Sequence, residues 1–168
     1  VLSVGPALAA RLGRFKAGAE LTLSTATSPD LRGAETAIGG GPVLLRAGEV
    51  VEIERPKSLM AVPYSIRSKF ERHPRTAMGW NGKYHYLVQI DGRQRDLSMG
   101  MTLAELSEFM QKQLRCTDAV NLDGGGSSTF WADGSTRNNP CEGHERELAN
   151  ALLVIRKPGA ARAAGRPA

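Results

Sequence analysis

Ala119-Val120-Asn121-Leu122-Asp123-Gly124-Gly125-Gly126-Ser127-Ser128-Thr129-Phe130-Trp131 places an apolar run, three glycines, two serines and a second apolar run in succession. Residues 119–122 read as a strand entering the glycine loop, and residues 128–131 as a strand leaving it. Glycine loses more backbone freedom on folding than any other residue. Three in a row make sense where backbone must approach something closely or adopt a positive φ. Successive amides in that geometry form an anion-binding nest, with hydroxyls from Ser127 and Ser128 and a carboxylate from Asp123 beside it. A tight bulge between two strands accounts for the same residues without a ligand. The two readings stand level. The loop is not a Walker A loop, because no Gly-Lys-Ser/Thr follows. Nor is it a nucleophile elbow, because Gly-x-Ser-x-Gly is absent.

Working outward, residues 76–80 and 84–90 form a hairpin about Asn81-Gly82, a pair that supplies the positive φ of a tight turn. Asp91-Gly92 ends its second strand. Residues 102–114 read as a helix: Thr102 and Glu105 match a capping box, and Leu103, Leu106, Phe109, Met110 and Leu114 make one apolar face. Further strands are expected at 1–4, 20–24, 43–45, 50–53 and 149–155, with a helix at 6–16 and a short one around 65–70. Turns fall at Ala47-Gly48 and Asp133-Gly134. Strands outnumber helices and hairpins imply antiparallel neighbours. The fold class is therefore mixed α/β (α+β), a mixed, largely antiparallel sheet with flanking helices. Residues 158–168, rich in Ala, Gly and Pro without periodicity, read as a disordered tail.

The length of 168 residues suits one domain. The net charge of +5 suits an anionic ligand. No nucleic-acid partner is expected, because there is no helix-turn-helix pattern, no Cys/His finger and little aromatic interleaving. No membrane span is expected, because no apolar run approaches the roughly 18 residues one needs. The chain opens Val1-Leu2-Ser3-Val4 without Met or a signal-peptide pattern, which reads as a fragment or a processed chain. Cys116 and Cys141 bracket the glycine loop; two thiols alone make no zinc site.

The ordered motifs resemble the phosphodiester glycosidase family. AVNLDGGGSSTFW is similar to its signature, HPRTAMGW (73–80) to its Pro-Arg-Thr-Ala-x-Gly strand, and IDGRQ (90–94) to its Asp-Gly-Arg segment. MTLAELSEFM is similar to the helix that follows, NNPCEGHERELANALLV to the closing segment, and AIGGGPVLLRAGEVV to the Gly-Gly-Pro turn. The resemblance covers residues 1–157, which form the expected domain. Nothing matches the Asn-Gly-Gly-Phe-Phe-like segment with which the family pattern begins, so 1–157 is expected to be its C-terminal portion.

The resemblance implies hydrolysis of a sugar-1-phosphodiester, releasing free sugar and a phosphomonoester, in a secreted or periplasmic setting. Bacterial relatives are associated with exopolysaccharide metabolism. The substrate is a sugar phosphodiester or phosphoglycan; neither cofactor nor metal is implied. An anionic substrate calls for guanidinium groups, and an oxocarbenium-like transition state for a carboxylate. Asp123 is the leading catalytic carboxylate, with Asp91 and Glu147 as competing partners. Asp91 is otherwise a turn residue, and Glu147 part of a solvated face. Arg75, Arg93 and Arg146 are the phosphate clamp, or otherwise exposed arginines. Gly124, Gly125, Gly126, Ser127 and Ser128 shape the loop. Asn150 interrupts an apolar strand and satisfies buried loop amides or meets the ligand. His73 and His144 read as structural or surface residues, Trp80 and Trp131 as core or interface, with sugar stacking the alternative for Trp131. The secreted setting also implies a Cys116–Cys141 disulfide, provided the strands flanking the loop pair; two free thiols are the alternative. The rival functions are a non-catalytic phosphoglycan-binding domain and an inactive fragment of the enzyme.

Overall fold

The computed structural model describes residues 30–155, together with Gly18 and Glu20. The elements expected at 1–4, 6–16 and 20–24 and the tail at 158–168 lie outside the described residues, Glu20 apart. The chain divides into two units, Val1–Ala37 and Ile38–Ala168. In the first, Arg32 pairs with Asp30 at 2.6 Å on an exposed turn. The second unit carries the sheet.

Its strands are β1 (Val43–Arg46), β2 (Glu49–Val50), β3 (Arg75–Trp80), β4 (His85–Ile90), β5 (Asp118–Asn121), β6 (Trp131–Ala132) and β7 (Ser135–Thr136). The helices are α1 (Tyr64–Arg67) and α2 (Leu103–Glu108). Five strands form one sheet in the order β2-β1-β5-β3-β4, and β6 and β7 form a separate ribbon. Every pairing is antiparallel, within the expected mixed α/β (α+β) class. β5 is central: Ala119 faces Gly79 on one side and Leu45 on the other. The glycine loop therefore leaves from the end of the middle strand.

The capping box forms as read. Glu105 N donates to Thr102 Oγ1 at 3.2 Å, and Thr102 N donates to Glu105 Oε2 at 2.9 Å. After Glu108 the helix widens into a π turn, Phe109–Gln113. Its apolar face puts Leu103, Leu106 and Met110 in one core with Leu44, Leu45, Ala77, Cys116 and Ala119. Gly79 is required there, because a Cβ would lie 2.5 Å from Met110 Cε and 2.8 Å from Cys116 Sγ. Among the described residues no helix is long and apolar enough to cross a membrane.

Several expected elements differ. The β3–β4 hairpin turns without a positive φ at Asn81 or Gly82. Instead the Asn81 side-chain oxygen accepts from Lys83 N and Tyr84 N, both at 2.9 Å, and shapes a four-residue loop. β2 is two residues long rather than 50–53, and the short helix sits at Tyr64–Arg67 rather than 65–70. Residues 128–130 form no strand, because the chain turns through a 3-10 helix at Gly125–Ser127 and extends only from Trp131. Residues 149–155 also form no strand: no sheet edge among the described residues pairs with them, and Leu153, Val154 and Ile155 are exposed. Apolar content alone supplied that expectation, and strand propensity without a hydrogen-bonding neighbour does not make a strand.

The cysteines are free thiols, not a disulfide. Cys116 is buried in the core against Gly79, while Cys141 lies in the Pro140–Gly143 turn. The pairing of flanking strands that was to bring them together does not exist. Burial pushes the Cys116 thiol up, which lowers its thiolate fraction. Iodoacetamide is therefore expected to alkylate Cys141 in the native protein and Cys116 only after denaturation. Peptide mapping checks this; native labelling of Cys116 would contradict the packed core.

Candidate functional site

Asp123 lies two residues past the end of β5 and caps its own loop. Its Oδ1 accepts from Gly124 N at 2.9 Å, and its Oδ2 accepts from Ser127 Oγ at 2.6 Å. Gly124 passes so close to the start of β3 that a Cβ would lie 2.8 Å from Pro74 O. Gly125 then takes φ 64° and donates its N–H to Pro74 O at 3.0 Å. The N–H groups of Ser127 and Ser128 close the turn onto Gly124 O and Gly125 O at 3.2 and 3.1 Å. Four loop amides are thus committed to protein acceptors, and the loop is a fastened turn rather than an open nest.

The loop borders a cavity of about 590 Å³ lined by Asp123, the three loop glycines, Arg75, Arg93 and Arg146. Arg75 is 6% exposed. Its Nε donates to Met101 O at 2.8 Å, and its Nη2 to Ser68 O at 2.7 Å and Glu71 O at 2.8 Å. A buried guanidinium is costly unless its donors are satisfied, and three carbonyls do most of that here. Arg93 stands at φ 57° on the loop after β4. Its guanidinium lies flat enough on Gly125 that a Cβ there would sit 3.2 Å from both Nη atoms. It donates to Tyr64 Oη at 2.9 Å and, through Nε, to His73 Nδ1 at 3.3 Å.

Arg146 comes from the segment beyond the β6–β7 ribbon. Its Nη2 donates to Ser127 Oγ and lies 4.0 Å from Asp123 Oδ2. Its Nη1 lies 3.7 Å from Glu142 Oε1. Ser127 Oγ therefore donates to the carboxylate and accepts from the guanidinium, which ties the two charges into one unit.

Other expected site residues lie elsewhere. Asp91 does not line the cavity. Its carboxylate accepts from Gln89 Nε2 and Asn138 Nδ2 at 3.0 Å and from Asn139 N at 3.1 Å, fastening the 138–139 segment to the end of β4. Ser128 is buried, and its Oγ accepts from Thr76 Oγ1 at 3.3 Å on the sheet side. Glu147 and Asn150 are exposed and off the cavity, so Asn150 does not satisfy buried loop amides. Their placement follows from the absence of a strand at 149–155. Trp131 is exposed, and Trp80 lies at the far end of β3 from the loop. Among the described residues no group of three or more His, Cys, Asp or Glu is placed to hold a metal ion.

Sequence reading missed Tyr64, Glu142 and the cavity position of His73. Only His73 carried a signal, since it directly precedes Pro74-Arg75. Asn121 also borders the cavity. Its Nδ2 donates to Gly41 O at 2.8 Å and Leu122 O at 2.7 Å, which anchors the glycine turn before β1 to the end of β5. Two of the cavity arginines crowd His73. Burial holds its imidazole below the ordinary value, and Arg93 and Arg75 add to that against the opposing pull of Glu71. The neutral ring accepts at Nδ1, and its Nε2 lies 3.4 Å from Glu71 Oε2 without hydrogen-bond geometry. A depressed imidazole value favours the neutral form in the folded protein. Its contribution to stability is present above the unfolded value of about 6.5 and is lost as pH falls through the folded value. NMR titration is expected to place the His73 midpoint below the ordinary imidazole value. Arg93→Ala is expected to raise it; an unchanged midpoint would contradict the contact.

The model of the phosphodiester glycosidase family matches residues 6–155 of this chain. N-acetylglucosamine-1-phosphodiester alpha-N-acetylglucosaminidase of Bos taurus is 39% identical over 69 residues, covering 40% of this chain and 12% of that protein. The chain thus matches only a small part of that curated relative's length. The solved catalytic domain of the zebrafish N-acetylglucosamine-1-phosphodiester alpha-N-acetylglucosaminidase, auto-inhibited by its pro-peptide, is 32% identical. That match covers 61% of this chain and 34% of that one, with a TM-score of 0.48. A Burkholderia pseudomallei structure described as an exported protein is 44% identical, covering 42% and 13%, with a TM-score of 0.39.

Proposed function

We propose, from the premise that the chain belongs to the phosphodiester glycosidase family, that it hydrolyses a sugar-1-phosphodiester at the glycosidic bond. The observation that carries this reading is the Asp123–Ser127–Arg146 unit on a cavity that also holds Arg75 and Arg93. The guanidinium groups bind the phosphodiester anion. Asp123 sits beside the anomeric carbon and stabilises its developing positive charge. The bond between anomeric carbon and phosphate oxygen breaks, and its electron pair leaves with the phosphate. Water supplies hydroxide to the carbon and a proton to the phosphate, giving free sugar and a phosphomonoester. The leaving group is already anionic and held by arginines, so a strong general acid is less necessary than for a sugar leaving group. On this reading the protein works in a secreted or periplasmic setting.

A second reading is a non-catalytic phosphoglycan-binding domain. One observation favours it: among the described residues Asp123 is the single carboxylate lining the cavity, with Asp91 and Glu147 away from it. Turnover of a chromogenic sugar-1-phosphodiester separates the two, since the binding module would bind without releasing chromophore. In the enzyme, Asp123→Asn is expected to lower kcat by about 10²-fold or more, the scale of losing one preorganised electrostatic group. Stability should change by less than about 1 kcal/mol, because the side chain is exposed and Asn still accepts from the loop amide. Wild-type turnover in that variant would remove Asp123 from the chemistry.

A further inference from the structure

Glu142 has a placement that the hydrolytic reading leaves unused. The turn Pro140–Gly143 is closed by Gly143 N donating to Pro140 O at 3.0 Å, with Gly143 at φ 79°. It carries the Glu142 carboxylate back onto Gly126, where any Cβ would collide with Oε1. The same Cβ would lie 3.0 Å from Arg146 Nη1. The third glycine of the loop thus leaves room for a carboxylate and a guanidinium together. Glu142 and Arg146 are four residues apart but not in a helix, so this is no incidental helix-surface pair. Arg146 is flanked on both sides, by Asp123 at 4.0 Å and Glu142 at 3.7 Å.

We propose that Glu142 is a charge-selectivity residue, which disfavours dianionic phosphomonoesters at the Arg146 end of the cavity more than monoanionic phosphodiesters. This rests on reading the cavity as a phosphodiester site. A phosphodiester carries one negative charge, whereas a phosphomonoester well above its second pKa, near 6, carries about two. Coulomb repulsion from a fixed carboxylate scales with ligand charge. Glu142 therefore weakens product binding as roughly the square of the factor by which it weakens substrate binding, and favours product release. Because the carboxylate is partly exposed, solvent and salt screen the effect and keep the factor per charge modest.

The test measures binding of dimethyl phosphate and monomethyl phosphate at pH 8 and low salt, by NMR titration of the full chain. For Glu142→Gln the monoanion is expected to tighten about threefold and the dianion about tenfold, with the gap shrinking in high salt. Glu142→Ala provides a second variant, and Glu145→Gln, on the same exposed segment, controls for overall charge and should leave the ratio unchanged. Circular dichroism confirms that each variant is folded. Equal shifts for the two ligands, or weaker binding of both, would overturn the proposal and leave Glu142 as a brace for Arg146. No binding of either ligand to any form would overturn the anion site itself. The expected shifts without turnover would remove hydrolysis while leaving the selectivity in place.

Discussion

The site hangs on the approach of the glycine loop to Pro74, the residue just before β3. Gly125 N donates to Pro74 O, and Gly124 has no Cβ to hold the two backbones apart. β3 is paired with β4 and β5, so that contact gathers three chain segments at one end of the sheet. Arg75 begins β3, Arg93 follows β4, and Asp123 follows β5. An antiparallel β4-β3-β5 arrangement brings the start of the middle strand beside the ends of its neighbours. Residues that are 18 and 48 positions apart from Arg75 in sequence thereby share one cavity.

Gathering cations is unfavourable by itself, and the surroundings show how the arrangement is tolerated. Arg75 is buried but satisfied by three main-chain carbonyls, whose partial charges offset lost hydration. Arg93 rests on the Gly125 backbone and binds a phenolic oxygen and a neutral imidazole nitrogen. Arg146 is set between two carboxylates. Arg75 and Arg93 have only neutral acceptors among the described residues, whereas Arg146 has anionic ones. The guanidinium charge without an anionic partner therefore belongs to Arg75 and Arg93, whereas that of Arg146 is offset by Asp123 and Glu142.

Much of this was legible in sequence where a local rule sufficed. The capping box of Thr102 and Glu105, the apolar face from Leu103 to Met110 and the glycine run after an apolar strand are decided within a few residues. What failed depended on distant partners. Residues 149–155 have strand-like composition but meet no strand edge, and Glu147 and Asn150 lost their expected positions with it. Asp91 looked like a free turn carboxylate, yet the amides of Asn138 and Asn139 occupy it. Cys116 and Cys141 bracket the loop in sequence, but the 3-10 turn at Gly125–Ser127 sends the chain away instead of back along β5. Tyr64 and Glu142 had no local signature, because each becomes relevant only through an arginine contributed by another segment.

The same distinction separates Arg75 from Arg146 mechanically. Arg75 is fixed by a strand, three carbonyls and burial, so its position costs little further ordering when a ligand arrives. Arg146 extends from an exposed segment without regular structure, with its side chain 45% exposed. Its placement relies on Ser127 and on two solvent-accessible carboxylates, and accessible ion pairs hold geometry weakly. Ser127, 8% exposed and bonded to Asp123, is the buried partner among the three. The hydroxyl therefore does more than fill the loop: it ties the end of β5 to a guanidinium that its own segment holds only through the accessible Glu142. This explains why a serine directly after three glycines is compatible with a precise site. The glycines let the backbone turn, and the serine fixes what the turn brings together.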